Sequence, residues 1–425
     1  MSNQMESSAF CDVPADWHLV RMDKYLEYVK CQISPEVMAD RDVFHYSIPV
    51  VQVLGTGAME DGSTIDSNKF VVDRELLLVS KLNPRKATIC LAAPSKSLTV
   101  CSTEFVPIAA HGIDIEFVQY VTLSDPYRQR LESLTESATR SHQRVAPSDI
   151  LKFWWPVPDK MTQEQVVRFL DRETAKIDAL IAKQEQLIAT LREDRAATIT
   201  QAVTKGLDPN VEMKDSGVGW IGQSPANWQI RQIKWGSPVK RGASPRPIDD
   251  PKYFDDEGEW SWVRIADVSS SSGRLRETTQ RLSVLGSSLS VKLNPGSLFI
   301  SIAGTVGKPC ITEVPACIHD GFVYFPTLDL DSEYLYRIFE AGECYKGLGK
   351  MGTQLNLNTD TIGSIHVPFP PREEQRRIVL GLEERCAKVD ALIAKSTEMI
   401  ETLREYRSAL ITDAVTGKID VRGVA

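Results

Sequence analysis

Two long stretches of this 425-residue chain are nearly identical and decide its architecture. Residues 175–208 read AKIDALIAKQEQLIATLREDRAATITQAVTKGLD, and residues 387–420 read AKVDALIAKSTEMIETLREYRSALITDAVTGKID, an offset of 212 positions. Each half of the chain therefore ends in a copy of the same segment. Upstream of these strings we expect the alignment to slip by two positions, so that Glu164–Gln165 matches Glu374–Gln375.

The repeated segments carry apolar residues at the spacing of an amphipathic helix. One row recurs every seven residues, namely Leu170, Ile177, Gln184 and Leu191 in the first copy and Leu382, Val389, Ser396 and Leu403 in the second. A second row is formed by Leu180–Ile181, Leu187–Ile188, Leu392–Ile393 and Met399–Ile400. This heptad pattern predicts two long helices whose seams bury each other. Because the copies are alike, we expect an antiparallel pair about a pseudo-two-fold axis, with Gln184 and Ser396 close together.

Two globular segments alternate with these helices. We predict domains at 1–157 and 208–371 and helical regions at 158–207 and 372–425. Candidate strands are Phe70–Val72, Leu76–Ser80, Thr88–Ala92, Val118–Val121, Trp262–Ile265, Ser297–Ile302 and Gly321–Phe325. Short helices are predicted near Pro126–Ser137 and Ser332–Gly342. The expected fold class is α+β, with two mixed globular domains and two long helices.

The composition is that of a folded, water-exposed protein. Hydrophobic residues make up 42% and charged residues 25% of the chain, and the net charge is −8. No apolar run approaches the roughly 20 residues of a membrane span, and no secretory signal opens the sequence, so we expect a cytoplasmic protein. The eight cysteines form no C-x-x-C pair, which favours free thiols.

No catalytic constellation is visible in the sequence. The string Gly304-Thr-Val-Gly307-Lys308 has the wrong spacing for a phosphate-binding loop, and the adenine-methyltransferase tetrad (Asn/Asp/Ser-Pro-Pro-Tyr/Phe) is absent. The six histidines are scattered and suggest no metal site. We therefore predict neither catalytic residues nor metal ligands on this chain.

Basic and amide side chains are instead concentrated in a few loops. In the first half they are Lys81, Arg85, Lys86, Arg140, His142, Gln143 and Arg144. In the second half they are Lys240, Arg241, Ser244, Arg246, Lys346, Lys350, Gln354, Asn356 and Asn358. Arginine and lysine neutralise phosphates or pair with guanine, and asparagine and glutamine pair with adenine, so these loops are candidate DNA contacts. Ordinary solvated loops are the alternative, and the Gln354-x-Asn-x-Asn run would also suit a turn.

Several motifs of the second half accompany the helices. They are Gly219-Trp-Ile-Gly-Gln-Ser-Pro225 with Trp228, Gly304-Thr-Val-Gly307-Lys308, Gly352-Thr-Gln354-Leu-Asn356-Leu-Asn358, and Val367-Pro-Phe-Pro-Pro371 with Glu374–Gln375. Together they resemble the specificity (S) subunit of Type I restriction-modification systems over essentially the whole chain. In the first half, Ser102-Thr-Glu-Phe105 is taken as the counterpart of Gly304–Lys308.

The resemblance implies a subunit that addresses the complex to DNA and is not itself an enzyme. Each globular domain would be a target recognition domain that reads one half of a bipartite double-stranded DNA sequence. The helices would form an antiparallel stalk that sets the spacing and docks two modification (methyltransferase) subunits. S-adenosylmethionine would bind to those subunits, and ATP and Mg would be used by restriction (translocase and nuclease) subunits, with no cofactor on this chain. A coiled-coil adaptor that reads no DNA, or an enzyme hidden in a variable domain, remain as alternatives.

Overall fold

The chain divides into two compact units. The computed structural model describes residues 13–137, 143–348 and 357–422. The first unit contains Met1–Glu185 and Thr397–Ala425, and the second contains Gln186–Ser396. Each unit therefore combines one globular segment with a part of each long helix.

The first unit contains thirteen described strands and five short α-helices. The strands are β1 (His18–Arg21), β2 (Leu26–Tyr28), β3 (Gln32–Ile33), β4 (Asp42–Tyr46), β5 (Ala58–Asp61), β6 (Lys69–Val71), β7 (Leu76–Ser80), β8 (Ile89–Ala92), β9 (Leu98–Ser102), β10 (Phe105–Ala110), β11 (Glu136–Ser137), β12 (Gln143–Arg144) and β13 (Trp154–Val157). The helices are α1 (Pro35–Met38), α2 (Ile48–Leu54), α3 (Ile115–Leu123), α4 (Asp125–Ser133) and α5 (Pro147–Leu151). Two sheets dominate, with strand orders β2-β10-β7-β8 and β3-β6-β9-β4-β5.

The first long helix, α6 (Lys160–Lys205), leads into the second unit. The strands of the second unit are β14 (Met213–Asp215), β15 (Gln223–Pro225), β16 (Gln229–Gln232), β17 (Lys240–Arg241), β18 (Trp260–Val263), β19 (Arg274–Leu275), β20 (Gln280–Leu282), β21 (Val291–Leu293), β22 (Leu298–Ser301), β23 (Pro309–Thr312), β24 (Ala316–Ile318), β25 (Phe322–Tyr324) and β26 (His366–Phe369). The remaining helices are α7 (Ile233–Gly236), α8 (Ile265–Ser270), α9 (Val284–Ser288), α10 (Ser332–Ala341), α11 (Thr359–Ser364) and the second long helix, α12 (Arg372–Val415). The main sheets run β17-β25-β22-β23-β19 and β20-β18-β24-β21.

The two globular segments share one strand arrangement. The antiparallel order β2-β10-β7-β8 matches β17-β25-β22-β23, and the parallel pair β4–β9 matches β18–β24. The connection between β7 and β8 therefore corresponds to the one between β22 and β23, which holds Gly304–Lys308. Ser102–Phe105 lies instead at the turn between β9 and β10, which corresponds to the turn between β24 and β25. The expected equivalence of Ser102–Phe105 with Gly304–Lys308 is wrong, because strand pairing, which the local string does not encode, places them in different turns.

A buried glutamine anchors the start of each long helix. The Gln163 amide donates to the Pro158 carbonyl (2.9 Å) and accepts from the Asp114 N–H (2.8 Å). The Gln375 amide donates to the Pro370 carbonyl (2.8 Å) and accepts from the Asp331 N–H (2.7 Å). Gln163 and Gln375 stand 212 positions apart, so the offset holds to the start of the helices. The expected slip of two residues is wrong, because it followed the letters Glu-Gln and not the buried position.

The C-terminal part of each long helix enters a globular core. In the first unit, Ile411, Ala414 and Val415 pack into the core, and the Trp155 indole donates to the Val415 carbonyl (2.9 Å). In the second unit, Ile199, Ala202 and Val203 do the same, and the Tyr334 hydroxyl donates to the Val203 carbonyl (2.9 Å). Burial of these apolar side chains stabilises each unit and fixes the end of the long helix against the globular segment.

Most of the predicted elements are confirmed, and one is wrong. Strand β7 spans the predicted residues, four other candidates are strands whose ends shift by at most one residue, and Trp262–Ile265 overlaps the end of β18. Both predicted short helices are present as α4 and α10. Val118–Val121 lies in helix α3 and not in a strand, because Asp114 caps the helix through the Glu116 and Phe117 N–H groups and its apolar face is buried. Among the described helices, none is long and apolar enough to cross a membrane.

Candidate nucleic-acid interface

Two of the arginines predicted as DNA contacts in the second domain, Arg241 and Arg246, converge on a single aspartate. Strand β17 and the loop after it carry Lys240, Arg241, Ser244 and Arg246. The Arg246 guanidinium donates to Asp320 Oδ2 (2.9 Å), and the Ser244 hydroxyl donates to Asp320 Oδ1 (3.2 Å). Arg241 Nε donates to the carbonyl of the same aspartate. The Arg246 side chain remains 77% exposed, so its guanidinium is available to a ligand while it is held.

Asp320 is a functional candidate that the sequence did not reveal. It lies in the turn between β24 and β25, 74 positions from Arg246. Partial burial opposes ionisation of Asp320, but the Ser244 hydroxyl and the neighbouring arginines lower the pKa of its carboxyl below the ordinary value. Asp320 is therefore a carboxylate at neutral pH. The local signal was an acidic residue two positions after a buried strand.

The structure also brings together two basic segments of the first domain. The connection between β7 and β8 holds Lys81, Arg85 and Lys86, and the Val145 N–H donates to the Lys81 carbonyl (3.0 Å). The Asn83 N–H donates to the Gln143 carbonyl (2.9 Å), and Leu82 forms an isolated β-bridge with Arg144. The two segments are therefore one surface patch. Arg140 and His142 lie outside the described residues.

Glu104 occupies the turn between β9 and β10, beside this patch. The Arg144 guanidinium donates to Glu104 Oε1 (3.0 Å), and the Lys81 N–H donates to the Glu104 carbonyl (2.9 Å). The corresponding turn of the second domain holds Asp320. Each domain thus has one carboxylate in the same turn that holds an exposed arginine.

The other predicted contacts of the second domain have different surroundings. Lys346 forms an ion pair with Glu343 (2.6 Å). Asn358 caps helix α11 by accepting from the Thr361 N–H (2.8 Å), which is the turn role that the sequence left open. Lys308 donates to the Ser269 and Ser271 carbonyls (both 2.9 Å), so the described contacts of the Gly304–Lys308 string are structural. Lys350, Gln354 and Asn356 lie outside the described residues.

Ion pairs join the long helices within each unit. In the first unit, Arg407 donates to both carboxylate oxygens of Asp178 (2.9 and 3.2 Å). In the second unit, Arg195 donates to Asp390 (2.8 Å) and to Glu340 of helix α10 (3.0 Å). Arg195 and Arg407 are 212 positions apart, and so are Asp178 and Asp390. The same pair is therefore made twice, with the roles of the two helices exchanged.

Burial divides the second apolar row of each long helix, because its isoleucines face inward while its leucines and Met399 are exposed. Of the predicted interface residues, Leu170, Ile177, Leu382 and Ser396 are buried, and Gln184, Leu191, Val389 and Leu403 are half-buried. The expectation that the second row closes the seam is wrong at Leu180, Leu187, Leu392 and Met399, whose exposed fractions are 43–52%. Adjacent helix residues point about 100° apart, so Ile188 faces inward while Leu187 faces outward.

Comparisons with known proteins show what this chain is similar to. Residues 225–402 match the family model of the Type I restriction modification DNA specificity domain. The part of the chain from the end of β15 into α12 is therefore similar to the DNA specificity domain of Type I restriction systems.

Individual relatives agree with that class. The chain is 21% identical to the Type I restriction enzyme MjaVIII specificity subunit of Methanocaldococcus jannaschii, over 97% of this chain and 95% of that protein. It is also 21% identical to the StySPI specificity subunit of Salmonella potsdam, over 86% of this chain and 82% of that protein. These matches confirm the resemblance to Type I specificity subunits.

Solved structures share the fold. A chain from a study of complex assembly and conformational transition of the type I R-M system superposes with a TM-score of 0.75, at 19% identity, over 96% of this chain and 100% of that one. The HsdS subunit from Thermoanaerobacter tengcongensis gives a TM-score of 0.50, at 18% identity, over 96% of this chain and 98% of that one. The mixed helix and strand architecture with two long helices is therefore that of known HsdS structures.

Proposed function

We propose that this chain is the DNA-recognition and scaffold subunit of a Type I restriction-modification complex, with each globular domain reading one half of a bipartite double-stranded target. The observation that carries the proposal is the pair of basic patches built on one shared strand arrangement. The patch around Arg144 and the patch around Arg246 each adjoin the corresponding turn, β9–β10 in one domain and β24–β25 in the other, but they are built from different segments and side chains. Such a pair suits two readers with different half-sites.

The long helices would form an antiparallel coiled-coil stalk that sets the distance between the half-sites. The exchanged ion pairs Arg407–Asp178 and Arg195–Asp390 support this arrangement, because a pseudo-two-fold axis makes each pair the image of the other. Close approach of Gln184 and Ser396 remains a prediction of the same symmetry.

The exposed apolar residues of the helices would dock two modification subunits. Leu180 and Met399 belong to the first unit, and Leu187 and Leu392 belong to the second. The repeat supplies this surface twice, so it suits two copies of one partner. Catalysis would belong to the partners, with S-adenosylmethionine on the modification subunits and ATP and Mg on the restriction subunits, in the cytoplasm.

Methylation mapping of a host that expresses the complete complex tests this function. The parent is expected to modify adenine in one bipartite motif. Arg246→Ala is expected to relax only one half of that motif and Arg144→Ala only the other. Loss of a guanine contact would cost about 1–3 kcal/mol at one base, whereas loss of a phosphate contact would weaken all sequences equally. A complex that binds DNA without sequence preference would support a plain adaptor instead.

A further inference from the structure

Asp320 holds the loop of the second domain through three separate acceptors. Its two carboxylate oxygens accept from Ser244 and Arg246, and its carbonyl accepts from Arg241. The loop backbone is tied to the same turn, because the Ala243 N–H donates to the Ile318 carbonyl (3.1 Å). Both arginine side chains of this loop that have a described partner, Arg241 and Arg246, therefore bond to the turn between β24 and β25.

Arg246 is restrained at its backbone as well as at its guanidinium. The Tyr253 hydroxyl donates to the Arg246 carbonyl (2.9 Å), while Asp320 accepts from the guanidinium (2.9 Å). A surface ion pair with an arginine that is 77% exposed adds little to stability. The arrangement instead removes rotamer freedom from a side chain that faces solvent, which is a gain only when that side chain binds something.

The first domain repeats the device with different residues. Glu104, in the corresponding turn, accepts from the exposed Arg144 through its carboxylate and from the Lys81 N–H through its carbonyl. The carboxylate is therefore retained in both readers while the surrounding basic residues differ.

Building on the proposed DNA-reading function, we infer that Asp320 and Glu104 are positioning residues for specificity: each presets the arginine that reads its half-site. Neither carboxylate favours DNA binding by charge, because each adds a negative charge next to a polyanion. The lowered pKa of the Asp320 carboxyl keeps this charge at neutral pH. Such a residue weakens non-specific attraction to DNA but fixes the arginine that reads the base. Its removal is therefore expected to lower specificity and to leave non-specific affinity equal or higher.

The test uses the assembled modification complex with Asp320→Asn, Asp320→Ala, Arg246→Ala and the double variant Asp320→Ala/Arg246→Ala. Binding is measured on the mapped target, on each single-base variant of both half-sites, and on unrelated DNA. Releasing one arginine is expected to reduce the ratio of affinities for the target and for its single-base variants by about 2- to 12-fold, because ordering one long side chain on binding costs that factor in affinity. The loss should be confined to the half-site that Arg246→Ala relaxes. Binding to unrelated DNA is expected to stay equal or to become tighter.

The double variant separates positioning from direct contact with a base. If Asp320 acts through Arg246, the double variant should discriminate no worse than Arg246→Ala alone. The inference would be overturned by additive losses in the double variant or by weaker binding of the Asp320 variants to unrelated DNA. It would also be overturned if both Asp320 variants discriminated normally while Arg246→Ala relaxed its half-site. Failure of the proposed function has a different signature, since Arg246→Ala itself would then leave both half-sites unchanged.

Glu104→Gln provides the matched control in the same protein. It is expected to relax the half-site that Arg144→Ala relaxes and to leave the other intact, the reverse of the Asp320 variants. Because each variant leaves the other domain unchanged, normal reading of the second half-site shows that the complex is assembled, and calorimetry of the purified chain checks that the substituted unit is folded. Relaxation of both half-sites by either single variant would contradict the inference.

Discussion

Replacing Gln375 by alanine is expected to destabilise the second unit by about 2–4 kcal/mol. The side chain is only 3% exposed and bonds two main-chain groups, the Pro370 carbonyl and the Asp331 N–H. Alanine leaves both without a partner, and an unsatisfied buried polar group costs about 1–3 kcal/mol. The Asp331 bond is half-buried, which places the total below the sum of two full penalties.

The twin position gives the same prediction for the other unit. Gln163 is also 3% exposed and makes the equivalent bonds to Pro158 and Asp114. Gln163→Ala is therefore expected to destabilise the first unit by a similar amount. Gln375→Glu keeps an acceptor for the Asp331 N–H but turns an oxygen toward the Pro370 carbonyl, so it is expected to cost at least as much as alanine.

Differential scanning calorimetry of the purified chain measures these effects. For a unit of about 200 residues, 1 kcal/mol shifts Tm by about 2–4 °C, so each alanine variant is expected to lower the transition of its own unit by about 4–16 °C. Gln186→Ala, on the exposed surface of α6, is the control and should stay within about 0.5 kcal/mol. A Gln375→Ala chain as stable as that control would refute the reasoning.

Three further outcomes are expected. Four residues inserted at Ala182–Lys183 add about 6 Å and about 400° of rotation, so methylation mapping should find a spacer up to about two base pairs longer with unchanged half-sites; altered half-sites with an unchanged spacer would contradict the stalk. Burial lowers the pKa of His45 below 6.5 despite Glu60, so the unfolded state takes up the proton first, and urea titrations should show the first unit losing stability below about pH 6.5, less so in His45→Gln. Leu187→Glu should reduce co-purification of modification subunits without lowering Tm, whereas equal capture would exclude this face from docking.

The long helices and their equivalence were readable from the residues because helix formation is local. Apolar residues three, four and seven apart share a face whatever the rest of the chain does. Helices α6 and α12 accordingly begin within two residues of the starts predicted for the two helical regions. Strand β7, a run of five apolar and small residues, was readable for a similar reason. The basic loops could be recognised from the sequence because lysine, arginine and amide residues are concentrated in them.

The grouping of those loops depended on contacts between distant parts of the chain. Arg246 and Asp320 are 74 positions apart, and Arg144 and Glu104 are 40 positions apart, so no local pattern couples them. The same holds for Val118–Val121, where β-branched residues favour a strand locally but the cap at Asp114 and burial on one face select a helix. In the sequence, Gln163 and Gln375 are indistinguishable from other polar helix residues, because their buried hydrogen bonds to Asp114 and Asp331 form only in the folded chain. Periodicity is a property of neighbouring residues, whereas the pairing of buried polar groups and the geometry of the arginines exist only once strand order brings remote turns together.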